Sequence, residues 1–442
     1  MQAKHSRRWQ SSQRQKARTN QRFAPWYFGW NVVAACVLCL SVAYGLTIFS
    51  FTLWATVWSK YFACPSSEIM VAISVLTLVQ ALGSPLLGQA VSRGKTKALM
   101  LIGGAITVCA LAASALASSP SSLVVVWSIP VAIGTLLVGP LPVQAMAVQW
   151  FQRRRGLALG LVTAGTSVGG VLGPLIVSHL ISGFGWRVAI LVCAALVAVL
   201  VLPTALVVIA HSPEHKGVTM DDQIVVIRPE RTAVRTEVSG LADVFAQRAF
   251  WLMILSAIPM YCVLLALQHN LGPIMSDQGL AQDRVAPFIS LFALASVIGK
   301  IGFGLIIDRT PLIVIYSAIN GILGAAIASL IFIPGEIGIA LSCGLLGATI
   351  GGYLPLVPAA AVQLFGVRAL GLVLGAFGPF TALAAIGPWL VARVRESSGS
   401  YETCLFLVFA FIPTWAALCI LAWGADAAIR RTGDQSREGA PK

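Results

Sequence analysis

Apolar residues in this chain come in runs of about 20, the length that carries an α-helix across hydrocarbon. Twelve such runs stand near 28–50, 67–91, 98–118, 122–149, 156–181, 186–210, 248–271, 284–307, 311–333, 337–363, 369–392 and 402–425. One long hydrophilic connection, 211–247, carries Glu214, Asp221, Asp222, Glu230, Arg231 and Arg235 and divides them six and six. The pattern predicts an all-α polytopic membrane protein. Its parts are a basic tail (1–27), a six-helix bundle (28–210), a central loop (211–247), a second bundle (248–425) and a C-terminal tail (426–442).

Composition strengthens this reading and charge orients it. Of 442 residues 57% are hydrophobic and 10% charged, with mean hydropathy +0.86; an average soluble domain has about 25% charged residues. A net charge of +14 would suggest a nucleic-acid partner, but the bases lie between apolar runs, where they set topology. With both termini inside, 24 Lys and Arg face the cytoplasm and five face out: Lys60, Arg187, Arg284, Arg393 and Arg395. Both termini are therefore expected in the cytoplasm, and the protein in the plasma membrane, the inner membrane of a bacterial cell. Residues 1–22 lack an apolar stretch and read as a cytoplasmic tail, not a signal peptide; their Arg and Ser content leaves a transit peptide as the other reading. The nine Cys show no regular spacing, and most (Cys36, Cys39, Cys109, Cys193, Cys343, Cys419) lie inside apolar runs, where a thiol packs as a small residue. No metal or cofactor is expected.

The two halves repeat. Gly88-Gln-Ala-Val-Ser92-Arg93 matches Gly304-Leu-Ile-Ile-Asp308-Arg309 at a shift of 216 residues, and Ala147-Val148-Gln149-Trp150-Phe151 matches Ala361-Val362-Gln363-Leu364-Phe365 at 214. Each Phe is followed 22 residues later by Gly-Pro, Gly173-Pro174 and Gly387-Pro388. Duplicated six-helix halves around a cavity at mid-membrane are the build of alternating-access carriers.

On these residues the chain resembles a major facilitator superfamily transporter over its whole length. The resemblance implies two pseudo-symmetric six-helix bundles and a cytoplasmic latch at Gly304, Asp308 and Arg309, whose Asp and Arg hold one conformation. The first-half copy keeps Gly88 and Arg93 but has Ser92 where the Asp stands. More narrowly, three stretches resemble the monocarboxylate and oxalate/formate-type branch: Trp26-Tyr-Phe-Gly29-Trp30-Asn31, Trp150-Phe151-Gln-Arg153-Arg154-Arg155-Gly156, and Gln268-His269-Asn-Leu-Gly-Pro273. That branch commonly places a cation before the second latch, here at the step Gly299-Lys300.

Lys300 is the one basic residue that falls in no loop, tail or helix end. A buried ammonium in lipid is costly and reads by default as functional. All sixteen Asp and Glu lie in loops, tails or helix ends, so the field at mid-membrane is positive and favours an anionic substrate with one negative charge. The other reading is snorkelling: Lys300 precedes Arg309 by nine residues, about 13 Å of helix, and its stem would reach toward cytoplasmic headgroups. Gly299, Gly302 and Gly304 argue instead for a closely packed or cavity-facing helix.

His269, with a free pKa near 6.5, is a candidate for proton coupling beside a carboxylate, or else a structural His at a helix end. Tyr44, Tyr261, Asn31 and Gln144 are further candidates for lining the route; packing accounts for each of them as well. Gly160, Gly169, Gly173 and Pro174 match part of the antiporter pattern G-x8-G-x3-G-P-x2-G-G, whose final Gly pair is Val177-Ser178 here. No G-x-x-x-x-G-K-[S/T] loop occurs and no catalytic constellation is found, so no enzyme is expected. The expectation is a secondary active transporter acting as a monomer in the lipid bilayer. It would move a small organic anion, most plausibly a monocarboxylate, by proton symport or anion exchange. An efflux antiporter for drugs or metabolites, of the same fold, is the alternative.

Overall fold

The computed structural model describes residues 27–208, 240–280, 285–384 and 386–419. The expected N-terminal tail up to residue 26, the central loop up to 239 and the C-terminal tail lie outside them. Eleven helices among the described residues are long and apolar enough to cross a membrane, and no strand occurs there. One of them, Arg155–Val207, has 53 residues. At 1.5 Å per residue it would run about 80 Å, against roughly 30 Å of hydrocarbon. It breaks at Gly185, whose φ of 74° and ψ of 163° suit only glycine. The two limbs are spans 5 and 6, giving twelve crossings.

The others are span 1 Gly29–Phe62, span 2 Glu68–Ser92, span 3 Thr96–Ala115, span 4 Pro120–Trp150, span 7 Arg248–Asp277 and span 8 Pro287–Ile307. Span 9 Leu312–Phe332, span 10 Glu336–Phe365, span 11 Leu370–Ser398 and span 12 Glu402–Cys419 complete the set. Span 1 departs most from its apolar run, continuing past residue 50 as Phe51–Phe62. Thr52, Thr56, Ser59 and Lys60 interrupt the hydrophobic run there. The helix persists because Phe51, Trp54, Ala55 and Trp58, at helical spacing, bury one face.

Apolar side chains such as Leu82, Leu86 and Ile298 stay exposed around the outside, as a hydrocarbon solvent requires. Aromatic clusters fill the two ends of the first half. At one, Trp58 packs on Trp127 (ring centroids 5.2 Å) and Trp186 (6.4 Å). At the other, Trp30 packs on Phe151 at 4.6 Å and the Tyr27 hydroxyl donates to the Trp150 carbonyl at 2.6 Å. The aromatic stretches that open span 1 and precede span 5 are thus one packed unit. The nine thiols are unpaired; Cys36 and Cys39, a C-x-x-C spacing, are both buried, while Cys109 is exposed.

The halves meet most extensively at two helix crossings, span 2 on span 11 and span 5 on span 8. Both have their closest backbone approaches toward the end of the molecule that carries Ser92 and Asp308. Spans 1, 4 and 6 each contain a π-helical segment (Gly45–Phe49, Trp127–Val131, Val197–Val201), all in the first half.

Candidate functional site

Lys300 is 2% exposed. Its backbone lies between two glycines. A β-carbon on Gly160 of span 5 would stand 2.2 Å from the Lys300 carbonyl oxygen, and one on Gly351 of span 10 would stand 2.8 Å from its amide nitrogen. Neither neighbour has room for a side chain. The ammonium donates to Thr166 Oγ1 at 2.9 Å and to Ser167 Oγ at 2.5 Å, both on span 5 in the opposite half. Among the described residues no carboxylate lies within ion-pair distance of it.

The direction of the side chain decides between the two readings of Lys300. Its backbone is level with Gly160, whereas its ammonium reaches Thr166 and Ser167, six and seven residues further into span 5. That is a displacement of about 9–10 Å along the helix, away from Asp308 and toward mid-membrane. Side chains on a helix lean toward its N-terminus, and span 8 begins at the opposite end from Asp308. Lys300 therefore reaches inward and does not snorkel to the nearer surface.

At the end of span 8, Asp308 Oδ1 accepts the Gly156 N–H at 2.6 Å and Oδ2 accepts the Leu157 N–H at 3.3 Å. These are unsatisfied amides of the first turn of span 5, where the helix dipole is positive. Asp308 is thus a helix cap supplied by the other half of the chain. Gly304 allows the approach, since a β-carbon there would lie 2.6 Å from the Gly156 carbonyl oxygen. Arg309 and Arg93 are exposed and their guanidinium groups have no partner among the described residues. Of the charged latch residues, only Asp308 makes a cross-half contact. Gly88 packs span 2 on span 11, where its β-carbon would meet the Gly371 carbonyl oxygen at 2.2 Å. Ser92 turns its hydroxyl back to the Gln89 carbonyl of its own helix.

The remaining candidates are dispersed. The Tyr44 phenol lies beside Gln80, whose Nε2 donates to Thr135 Oγ1 at 2.9 Å, a polar group joining spans 1, 2 and 4. Tyr261 stacks on Tyr353 (5.9 Å, 8° between planes), and the Tyr353 hydroxyl donates to the Ala257 carbonyl. Gln144 is buried and its amide makes no hydrogen bond among the described residues. Asn31 is exposed in the first turn of span 1. His269 is exposed without a side-chain hydrogen bond, whereas its neighbour Asn270 is buried and donates to the carbonyls of Ala266 (2.9 Å) and Pro388 (3.3 Å). None of these candidates hydrogen-bonds Lys300. The partners of the cation, Thr166 and Ser167, went unselected in the sequence. A signal for Ser167 exists there: it follows Gly156 and Gly160 by eleven and seven residues, on the same helix face.

Duplicated bundles joined at two crossings, with a buried cation between them, define an integral, multi-pass membrane transporter. The chain belongs to the Major Facilitator Superfamily, whose family model matches residues 33–388. Among its relatives is an "MFS-type transporter" of Gibberella moniliformis, 26% identical and covering 74% of this chain and 75% of its own. Another is human "Monocarboxylate transporter 12", 24% identical and covering 87% of this chain and 78% of its own. Among solved structures, the superfamily transporter FucP in the outward conformation matches with a TM-score of 0.64 at 14% identity. That match covers 88% of this chain and 97% of FucP and shows the common fold.

Proposed function

We propose that this protein is a secondary carrier for a small organic anion, a monocarboxylate, coupled to a proton or to a counter-anion. The observation that carries the proposal is the Lys300 ammonium, buried between the halves and held by two hydroxyl groups, with no carboxylate in reach among the described residues. A buried cation without a counter-ion is costly, and a substrate carboxylate would supply one. The resemblance to monocarboxylate transporters supports the same substrate class.

In this reading the ends carrying Asp308 and both termini face the cytoplasm, as the count of basic residues favours. Asp308 on the first turn of span 5 closes that side, and the monomer works by rocking one half against the other. The membrane is the plasma membrane, the inner one if the cell is bacterial. His269, exposed on span 7, is retained as the candidate proton carrier.

The test is uptake by proteoliposomes of labelled acetate, lactate, pyruvate, oxalate and benzoate, with and without an imposed proton gradient. Wild type is expected to concentrate at least one of these anions, and Lys300→Ala to lose more than tenfold in initial rate. Cation uptake without anion uptake, or full activity in Lys300→Ala, would overturn the proposal.

A further inference from the structure

Lys300 is half of a site whose other half stands on span 5. Its ammonium carries three N–H donors; two are used, on Thr166 and Ser167, and one is left. The two hydroxyls differ. Thr166 directs its own proton to the Thr163 carbonyl at 2.7 Å, so toward Lys300 it can only accept. Ser167 Oγ accepts from Lys300 at 2.5 Å, and its O–H finds no acceptor among the described residues. Ser167 is also only partly buried, unlike Lys300. An unfilled N–H and an unfilled O–H therefore stand on two adjacent, hydrogen-bonded atoms, one from each half of the molecule.

We infer that Ser167 is a substrate-binding residue: with Lys300 it forms a two-donor cradle for one carboxylate, the ammonium donating to one oxygen and the serine hydroxyl to the other. Two parallel donors recognise the plane of a carboxylate, which a single cation does not. Thr166 positions the ammonium without touching the anion. Because Lys300 is on span 8 and Ser167 on span 5, the bound carboxylate bridges the halves at the surface on which they move. The inference rests on the anion-carrier reading and adds to it the residue that gives carboxylates preference over a spherical anion such as chloride.

The experiment measures concentration-dependent uptake of labelled lactate, pyruvate and acetate by proteoliposomes holding the full chain, with chloride as competitor. Ser167→Ala is expected to raise KM about tenfold or more, the loss for one hydrogen bond to a charged group, with the maximal rate within about twofold. The same variant is expected to let chloride compete better relative to lactate. Ser167→Thr, which keeps the hydroxyl, should restore KM, whereas Ser167→Val, of the same shape as Thr, should not. This pair separates a binding role from a packing one even if Ser167→Ala is poorly folded. Thr166→Val should lower the maximal rate and leave the lactate-to-chloride ratio unchanged. Lys300-dependent carboxylate uptake with equal KM in Ser167→Thr and Ser167→Val would overturn the cradle and leave the carrier reading standing. Absence of uptake of all three anions by wild type would overturn both.

Discussion

Span 5 on span 8 and span 2 on span 11 occupy equivalent places in the duplicated chain, and at both the backbones meet over glycine. Gly156 and Gly160 face Gly304 and the Lys300 carbonyl at the first; Gly88 faces Gly371 and Gly375 at the second. What lies around those glycines differs. The 5–8 crossing carries a carboxylate on a helix N-terminus and an ammonium on two hydroxyls. The 2–11 crossing offers Ser84, whose hydroxyl is shared between the carbonyls of Ala81 (2.7 Å) and Gly375 (3.0 Å). Both therefore serve as close-packed joints, but only the first has charge that an anion can disturb. The repeat preserved the packing and placed the electrostatics on one side.

The severest way to break this comparison is to remove the shared feature. Gly160→Leu and Gly88→Leu each drive a side chain into a facing backbone, and overpacking of this kind costs about 3 kcal/mol. Both should lower the apparent Tm in detergent by similar amounts and reduce transport more than tenfold. Tolerance of leucine at either position would mean that the crossing is not closed over glycine.

Removing the charge should separate the two crossings. Asp308→Ala removes a helix cap and is expected to cost about 1–2 kcal/mol, with Asp308→Asn retaining part of it. The same loss should speed labelling of a cysteine introduced near Gly156 by an impermeant maleimide from the Asp308 side. If Asp308→Ala changed neither Tm nor labelling, the carboxylate would not hold that end closed.

The smallest effect comes from transplanting the cap. Ser92 stands where the repeat puts Asp308, and its backbone nitrogen would be 3.0 Å from a β-carbon on Gly371 in the first turn of span 11. Ser92→Asp should stabilise by up to about 1 kcal/mol through that helix N-terminus, read as a small rise in Tm. Ser92→Ala should stay within about 0.5 kcal/mol of wild type. A lower Tm in Ser92→Asp would show that the two crossings are not geometrically equivalent.

The spans, the repeat and the isolation of Lys300 were legible in the sequence because each is a matter of hydropathy, spacing or the lack of an acid along one chain. The runs 156–181 and 186–210 already part where Gly185 breaks the helix, although nothing in the sequence singles out that glycine as the corner. Partners were not legible. Lys300 meets Ser167 across 133 residues, and no local pattern states which face of span 8 turns toward span 5. His269 drew notice for its chemistry, yet the side chain that the fold buries and ties down there is Asn270. Tyr44 reads as an isolated phenol until spans 1, 2 and 4 bring Gln80 and Thr135 to it. Span 1 outran its apolar run because burial of one face, not overall hydropathy, kept Phe51–Phe62 helical.

The depth of the cation is fixed by atoms that are missing. Gly160 and Gly351 both press on the Lys300 main chain, so its height in the bilayer depends on two hydrogens in place of two side chains. Such a mount does not care what fills the space beyond the ammonium. A lineage could exchange the hydroxyl at 167, or the aromatic rings nearer the mouths, while the glycines and Thr166 keep the charge in place. Selectivity would then drift quickly while the glycine frame changed slowly.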